Sequence, residues 1–150
     1  MPVTFIIKES LLHYPVFKYV MRSRNPIAVT RTNPRKDLQT VFSEGQDRLK
    51  KGISIVVFPQ TTRALQFIPQ KMSTIGTKLA QKAKVEIIPV ALKTDAWENG
   101  SWIKDLGRIN PQKKVHFAFG PPIGTDKENR QQEVVNFIEE KLQGWQTAEK

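Results

Sequence analysis

The sequence contains no cysteine. That absence excludes thiol nucleophiles, disulfides and thiolate metal sites together, and it favours a reducing compartment. Histidine is nearly as scarce: His13 and His116 stand 103 positions apart and no carboxylate cluster has ligand spacing, so neither a metal nor any other cofactor is expected. The 8 glycines form no nucleotide-type phosphate loop. Acidic residues are few beside basic ones, 14 against 24, and the resulting charge of +10 favours anionic partners such as phosphates, nucleic acid or an acidic membrane surface. No apolar run approaches the ~18 residues of a membrane span, because Lys, Arg, Gln or Pro interrupts each within about eight residues. The opening MPVTFIIKES lacks a basic segment ahead of its apolar residues and a small-residue cleavage site, so a secretory leader is not expected. Internal repeats and low-complexity linkers are missing too.

What is present is ordinary globular material. The 150 residues are 39% apolar and 25% charged, enough for a packed core and the size of one domain, residues 1–150. Short β-rich runs recur at Val3 to Ile7, Ile27 to Thr30, Ile53 to Phe58, Val85 to Leu92 and Val115 to Phe119, with helical patterns between most of them. This alternation predicts an α/β fold with a largely parallel sheet. Ile53 to Phe58 is almost wholly apolar, as a strand buried on both faces should be, and Val85 to Leu92 is similar, so these two are expected at the centre. Pro89 cannot donate to a ladder and marks an edge or bulge in the second. In the last strand, Val115, Phe117 and Phe119 alternate and are expected to face inward, with His116 on the other side.

Leu38, Val41, Phe42 and Leu49 fall at helical spacing, with Asn33 as N-cap, Pro34 at the first helical position and Gly52 just past the end. Met72, Ile75, Leu79, Ala80 and Ala83 define a second amphipathic helix. Val134, Val135, Ile138 and Leu142 define a third, whose start Thr125-Asp126-Lys127-Glu128 fits a capping box. Pro15 divides the apolar stretch Glu9 to Arg22 into one kinked helix or two short ones. Thr94 to Gln112 reads as a long excursion. Its Trp97 and Trp102, near Lys104 and Arg108, suit either packing or an anchor at a membrane interface.

Three cations follow three successive predicted strands: Lys8, Arg31 and Arg63. If those strands are parallel, the charges gather at the carboxyl edge of one sheet, where open α/β folds bind ligands. Arginine offers a planar fork to phosphate oxygens, and Thr61 and Thr62 add hydroxyl donors, so a phosphate monoester is the expected ligand. Chance placement of three surface cations is the competing reading.

Phe58-Pro59-Gln60-Thr61-Thr62-Arg63 resembles the Phe-Pro-Glu-Gly-Thr-Arg motif of the glycerolipid acyltransferases that include 1-acylglycerol-3-phosphate acyltransferase. Ile27-Ala28-Val29-Thr30-Arg31 resembles the second motif of that family, and Ile87-Ile88-Pro89-Val90-Ala91 its fourth, in the same order. The resemblance runs from about Val3 to Pro122. It implies a glycerol-3-phosphate acyltransferase-like fold, a mixed, largely parallel sheet with flanking helices. It also implies acyl transfer from acyl-CoA or acyl-carrier protein to 1-acylglycerol 3-phosphate or a related lysophospholipid. Arg63, Thr62 and Arg31, with Lys8, Gln60 and Thr61, would hold the phosphate at an anionic membrane surface, on the cytoplasmic side and peripheral to the membrane. No nucleic acid is expected, since no nucleic-acid motif accompanies the charge.

Two departures qualify that implication. Gln60 and Thr61 replace the family's Glu and Gly, removing a negative charge and a flexible position. The family's first motif, His-x-x-x-x-Asp, does not occur: five residues after His13 comes Lys18, and five after His116 comes Pro121. The resemblance makes that His the general base on the acceptor hydroxyl and that Asp its orienting partner. A packing or surface role is expected for His13, and neither histidine is a credible base. The sequence is therefore expected to be an N-terminally shortened member without turnover of its own. The alternative is a catalytically silent module binding lipid phosphate or a membrane surface.

Overall fold

The computed structural model describes residues 2–15, 18–60, 66–94, 96 and 107–148. These fall into two compact units, one from residues 1–62 and 71–85, the other from residues 63–70 and 86–150.

In the first unit, three parallel strands form a sheet: β1 (Val3–Lys8), β2 (Ile27–Val29) and β3 (Ser54–Val56), in the order β2-β1-β3. Ile6 stands opposite Ile27, and Val3 opposite Ser54. The expected centre is thus corrected. β1 is flanked on both sides, whereas β3 pairs with β1 at the end of that order, and Val85 to Leu92 contributes nothing to this sheet. Nor is either run buried on both faces: Ser54 to Val56 are half-buried, and Phe58, Ile88 and Leu92 are exposed. Apolar content does not choose a strand's neighbours or its cover, which long-range pairing and packing decide. Thr4 on β1 is buried, its hydroxyl shared between the carbonyls of Arg24 (2.8 Å) and Asn25 (3.0 Å). Arg48 reaches the same Asn25 carbonyl through Nε and Nη2, both at 3.2 Å, and fixes the turn into β2.

Pro15 separates a 3₁₀ turn (Glu9–His13) from α1 (Lys18–Ser23), so the divided pattern gives two short helices. α2 (Pro34–Lys50) begins and ends where local chemistry dictates. The Asn33 side chain accepts from the Lys36 amide at 3.1 Å. At the other end Gly52 (φ +72°) donates to Leu49 and Ile53 to Arg48, both at 3.0 Å, which closes a Schellman motif. α3 (Ile75–Ala83) packs on α2. Ile27, Val41 and Leu79 form the core, flanked by Ile6, Val29, Phe42, Leu49, Ile55 and Ile75.

In the second unit, β4 (Val90–Lys93) pairs antiparallel with β5 (His116–Phe119), and α4 (Arg130–Ala148) packs on β4. The expected irregularity at Pro89 is there. Its carbonyl accepts from Gly120 at 2.9 Å, and ahead of it only an isolated bridge joins Ile87 to Ile123. From Ile87 to Val90 is three residues, from Phe119 to Ile123 four, so the pairing slips by one across Pro121 and Pro122, which have no N–H to donate.

Two expectations fail in this unit. The Thr125 capping box does not open α4, which starts at Arg130; residues 125–129 are turns, all exposed, with no apolar side chain to bury. The facing of β5 is inverted. Phe117 and Phe119 are 56% and 68% exposed, while His116 stacks on Trp145 of α4, ring centroids 5.1 Å apart. Small residues explain the choice, because Ala91 and Ala118 on the His116 side let the helix approach, and Ala91 is fully buried.

Candidate anion-binding site

Parallel pairing brings the ends of β1 and β2 together. Lys8, the last residue of β1, stands opposite Val29, the last of β2, so Thr30 and Arg31 follow just beyond the same sheet edge. β3 points the same way: counted from the Phe5 and Val56 pair, Lys8 lies three residues on along β1, and Gln60 four residues on beyond β3. All three side chains, Lys8, Arg31 and Gln60, belong to exposed residues. The backbone after β3 is tied down where the Pro59 carbonyl accepts from the Ser73 amide at 3.0 Å. The remaining sequence candidates, Thr61, Thr62 and Arg63, lie outside the described residues, as do Trp97, Trp102 and Lys104.

The loop between β2 and α2 is organised by a residue that sequence reasoning missed. Asp37, in the first turn of α2, accepts on Oδ1 from the Thr30 amide (2.9 Å) and hydroxyl (3.0 Å), and on Oδ2 from the Arg31 amide (2.7 Å). The Thr30 hydroxyl in turn accepts from the amide (3.2 Å) and hydroxyl (2.9 Å) of Thr32. These bonds hold Arg31 at φ +62°, a left-handed conformation that a non-glycine residue adopts at a cost. The Thr30 amide is the largest influence lowering the Asp37 pKa; partial desolvation opposes it, and the Arg31 amide, the Thr30 hydroxyl and nearby Lys36 add to the lowering. A carboxylate in the first turn of a helix is a faint signal on its own, because helix dipoles favour acids there in general.

Chemically, this edge presents an ammonium at the end of β1 and a guanidinium just past the end of the neighbouring β2, with Asp37 bonded to backbone and hydroxyl groups of the loop between β2 and α2. Two such cations suit the dianion of a phosphate monoester. His13 is exposed at the end of its 3₁₀ turn, as expected of a surface residue, and His116 is half-buried in its stack with Trp145. Among the described residues, no group of three His, Asp or Glu could hold a metal ion, and no helix is long and apolar enough to cross a membrane.

A family model described as Acyltransferase matches residues 1–93, which include β1 to β3, the Arg31 loop and β4. The chain belongs to the Acyltransferase family. Its similarity to individual acyltransferases agrees. It is 32% identical over 109 residues to a 1-acyl-sn-glycerol-3-phosphate acyltransferase of Pseudomonas aeruginosa, covering 72% of this chain and 42% of that protein. To an enzyme of the same name from Cocos nucifera it is 25% identical over 123 residues, covering 81% of this chain and 38% of the relative. The chain therefore spans about two-fifths of the length of these relatives. The crystal structure of the 1-acyl-sn-glycerophosphate (LPA) acyltransferase PlsC from Thermotoga maritima shares the fold. Its TM-score is 0.69 at 21% identity, over 97% of this chain and 57% of that one. The mixed α/β architecture read from the acyltransferase motifs is thus the observed one, and two of those motifs lie wholly within the described residues. Ile27 to Arg31 makes β2 and the start of its loop, and Ile87 to Ala91 makes the isolated bridge and the start of β4.

Proposed function

We propose that this chain carries the acceptor-phosphate half of an acyltransferase site. The acceptor is 1-acylglycerol 3-phosphate or a related lysophospholipid, and the acyl chain comes from the thioester of acyl-CoA or acyl-carrier protein. Arg31 and Arg63 take the phosphate oxygens, with Lys8, Gln60, Thr61 and Thr62 in support. The observation that carries this reading is the placement of Lys8 and Arg31 at one sheet edge, with Arg31 held in a left-handed turn by Asp37. Residues 1–150 act as one acyltransferase-like domain, a reading supported by a family match and a structural likeness that both run across the division between the two units. The protein meets its lipid at an anionic membrane surface, from the cytoplasmic side. The 150 residues alone bind without turnover, because neither histidine is followed by Asp at the spacing a His-Asp base requires.

Calorimetric titration with glycerol 3-phosphate tests the site. Arg31→Ala and Arg63→Ala are each expected to weaken binding about tenfold or more, while Lys141→Ala changes little. Arg63→Lys restores only part of the loss, since a point charge does not reproduce the fork. Equal losses in all three alanine variants would replace the site by diffuse attraction to a basic protein.

A further inference from the structure

The sheet of β4 and β5 has one covered face and one bare one. α4 lies on the face of Ala91 and His116, where Val134, Val135 and Ile138 are buried. The opposite face presents Leu92 directly across from Phe117, with Phe119 beside it, and all three are exposed. The two phenyl rings meet edge to face, centroids 4.8 Å apart at 83°, so they stand as a braced pair. Val115, next in the alternation, is exposed as well. Contiguous apolar surface of this kind on a soluble face marks a docking site.

Charge selects the occupant. Arg108, Lys113 and Lys114, all exposed, precede β5, and from Gly107 to Thr125 there is no acidic residue. Residues 126–148, which include α4 on the other side of the sheet, reverse the balance with five acids against three cations. We infer that the bare face of β4 and β5 is the surface by which this chain lies on an anionic lipid bilayer. Phe117, Phe119, Leu92 and Val115 enter the boundary between headgroups and acyl chains, and Arg108, Lys113 and Lys114 sit among the phosphates. The acidic side of the unit points to water, so the charge asymmetry orients the unit as well as attracting it. This rests on the reading that the chain meets its lipid at a membrane surface and names the part that does so.

The absence of cysteine makes the test direct. An environment-sensitive fluorophore is attached through Val115→Cys, and in a second protein through Gln143→Cys on the exposed side of α4. Each is mixed with vesicles of phosphatidylcholine alone or with phosphatidylglycerol. The label at 115 is expected to shift to the blue with the anionic vesicles, less so as salt rises, and the label at 143 to stay unchanged. In sedimentation with the same vesicles, Phe117→Ser and Phe119→Ser each lower partitioning about tenfold with unaltered circular dichroism. Lys113→Glu with Lys114→Glu removes the preference for phosphatidylglycerol. A chain that partitions with its 115 label unmoved overturns the inference, as does undiminished partitioning of the serine variants. So does a 115 label that shifts with protein concentration in the absence of vesicles, which would make a second copy the occupant. Glycerol 3-phosphate titration in vesicle-free buffer is read in parallel. The serine variants leave it unchanged, so failure of the phosphate site and failure of the lipid face are seen separately.

Discussion

At the residue scale, Asp37 and Arg31 form one device. Asp37 exchanges water for three donors when the loop folds, and its pKa is lowered chiefly by the Thr30 amide. A carboxylate whose folded pKa lies below its unfolded one stabilises the fold above the unfolded pKa. It loses that contribution as pH falls through the ordinary carboxylate range toward the lowered folded value. Asp37→Asn is therefore expected to lower the urea midpoint at neutral pH and to flatten the acid limb of the stability profile. The flattening is partial, because Asp47, lowered mainly by its hydrogen bond to Lys51, titrates in both proteins. An acid limb identical in parent and variant would show that Asp37 contributes nothing on folding. Arg31 tests the other half of the device. At φ +62° its side chain stands on backbone that glycine adopts freely, so Arg31→Gly should leave stability unchanged or raise it by up to about 1 kcal/mol. The same variant should lose at least as much affinity for glycerol 3-phosphate as Arg31→Ala. Stability and binding then move in opposite directions, as expected where strain is kept for a ligand.

At the scale of elements, two glycines of the α2 region act for different reasons. Gly52 needs its φ of +72°, but a Cβ there would meet nothing within 4 Å. Gly52→Ala should cost about 1 kcal/mol by backbone strain alone. Gly45 lies inside α2, where a Cβ would come 2.8 Å from Cδ2 of the buried Leu79 on α3. Alanine gains about 1 kcal/mol of helix propensity there and loses about 1 to 3 by overpacking, so Gly45→Ala is expected to be destabilising by about 1 kcal/mol. Adding Leu79→Val should recover part of that loss and recover nothing in the Gly52 variant, a comparison that urea unfolding of the four proteins settles. Both ends of α2 were legible in the sequence because capping is local, a matter of Asn33, Pro34 and Gly52 and their immediate neighbours. The start of α4 was not. Thr125 to Glu128 has the capping pattern, yet a helix begun there would bury nothing in its first turn, and tertiary packing places the first turn at Arg130 instead.

For the whole molecule, the absence of a His-x-x-x-x-Asp pattern from these 150 residues leads to a kinetic expectation. Thiol release from acyl-CoA with a lysophosphatidate acceptor should fall below that of a relative carrying the His-x-x-x-x-Asp pattern by about 10² or more, the usual contribution of a general base. Robust turnover that disappears in His13→Ala or His116→Ala would restore one of these histidines as the base. The order of strands and helices, and the two cations Lys8 and Arg31 at the same end of successive strands, were readable from the sequence. They follow from period-2 and period-3.6 patterning, turn residues and spacing, which act over a few residues. Three features belonged to the tertiary structure alone. β1 is the central strand because two distant segments pair with it. Phe117 and Phe119 face away from α4 because Ala91 and Ala118 offer the helix a closer fit than two phenyl rings would. Asp37 holds Arg31 because the end of a parallel strand brings the loop carrying Arg31 over the first turn of α2. In each case alternation is symmetric between two faces or two neighbours, and only the competition for buried area over long chain distances breaks the symmetry.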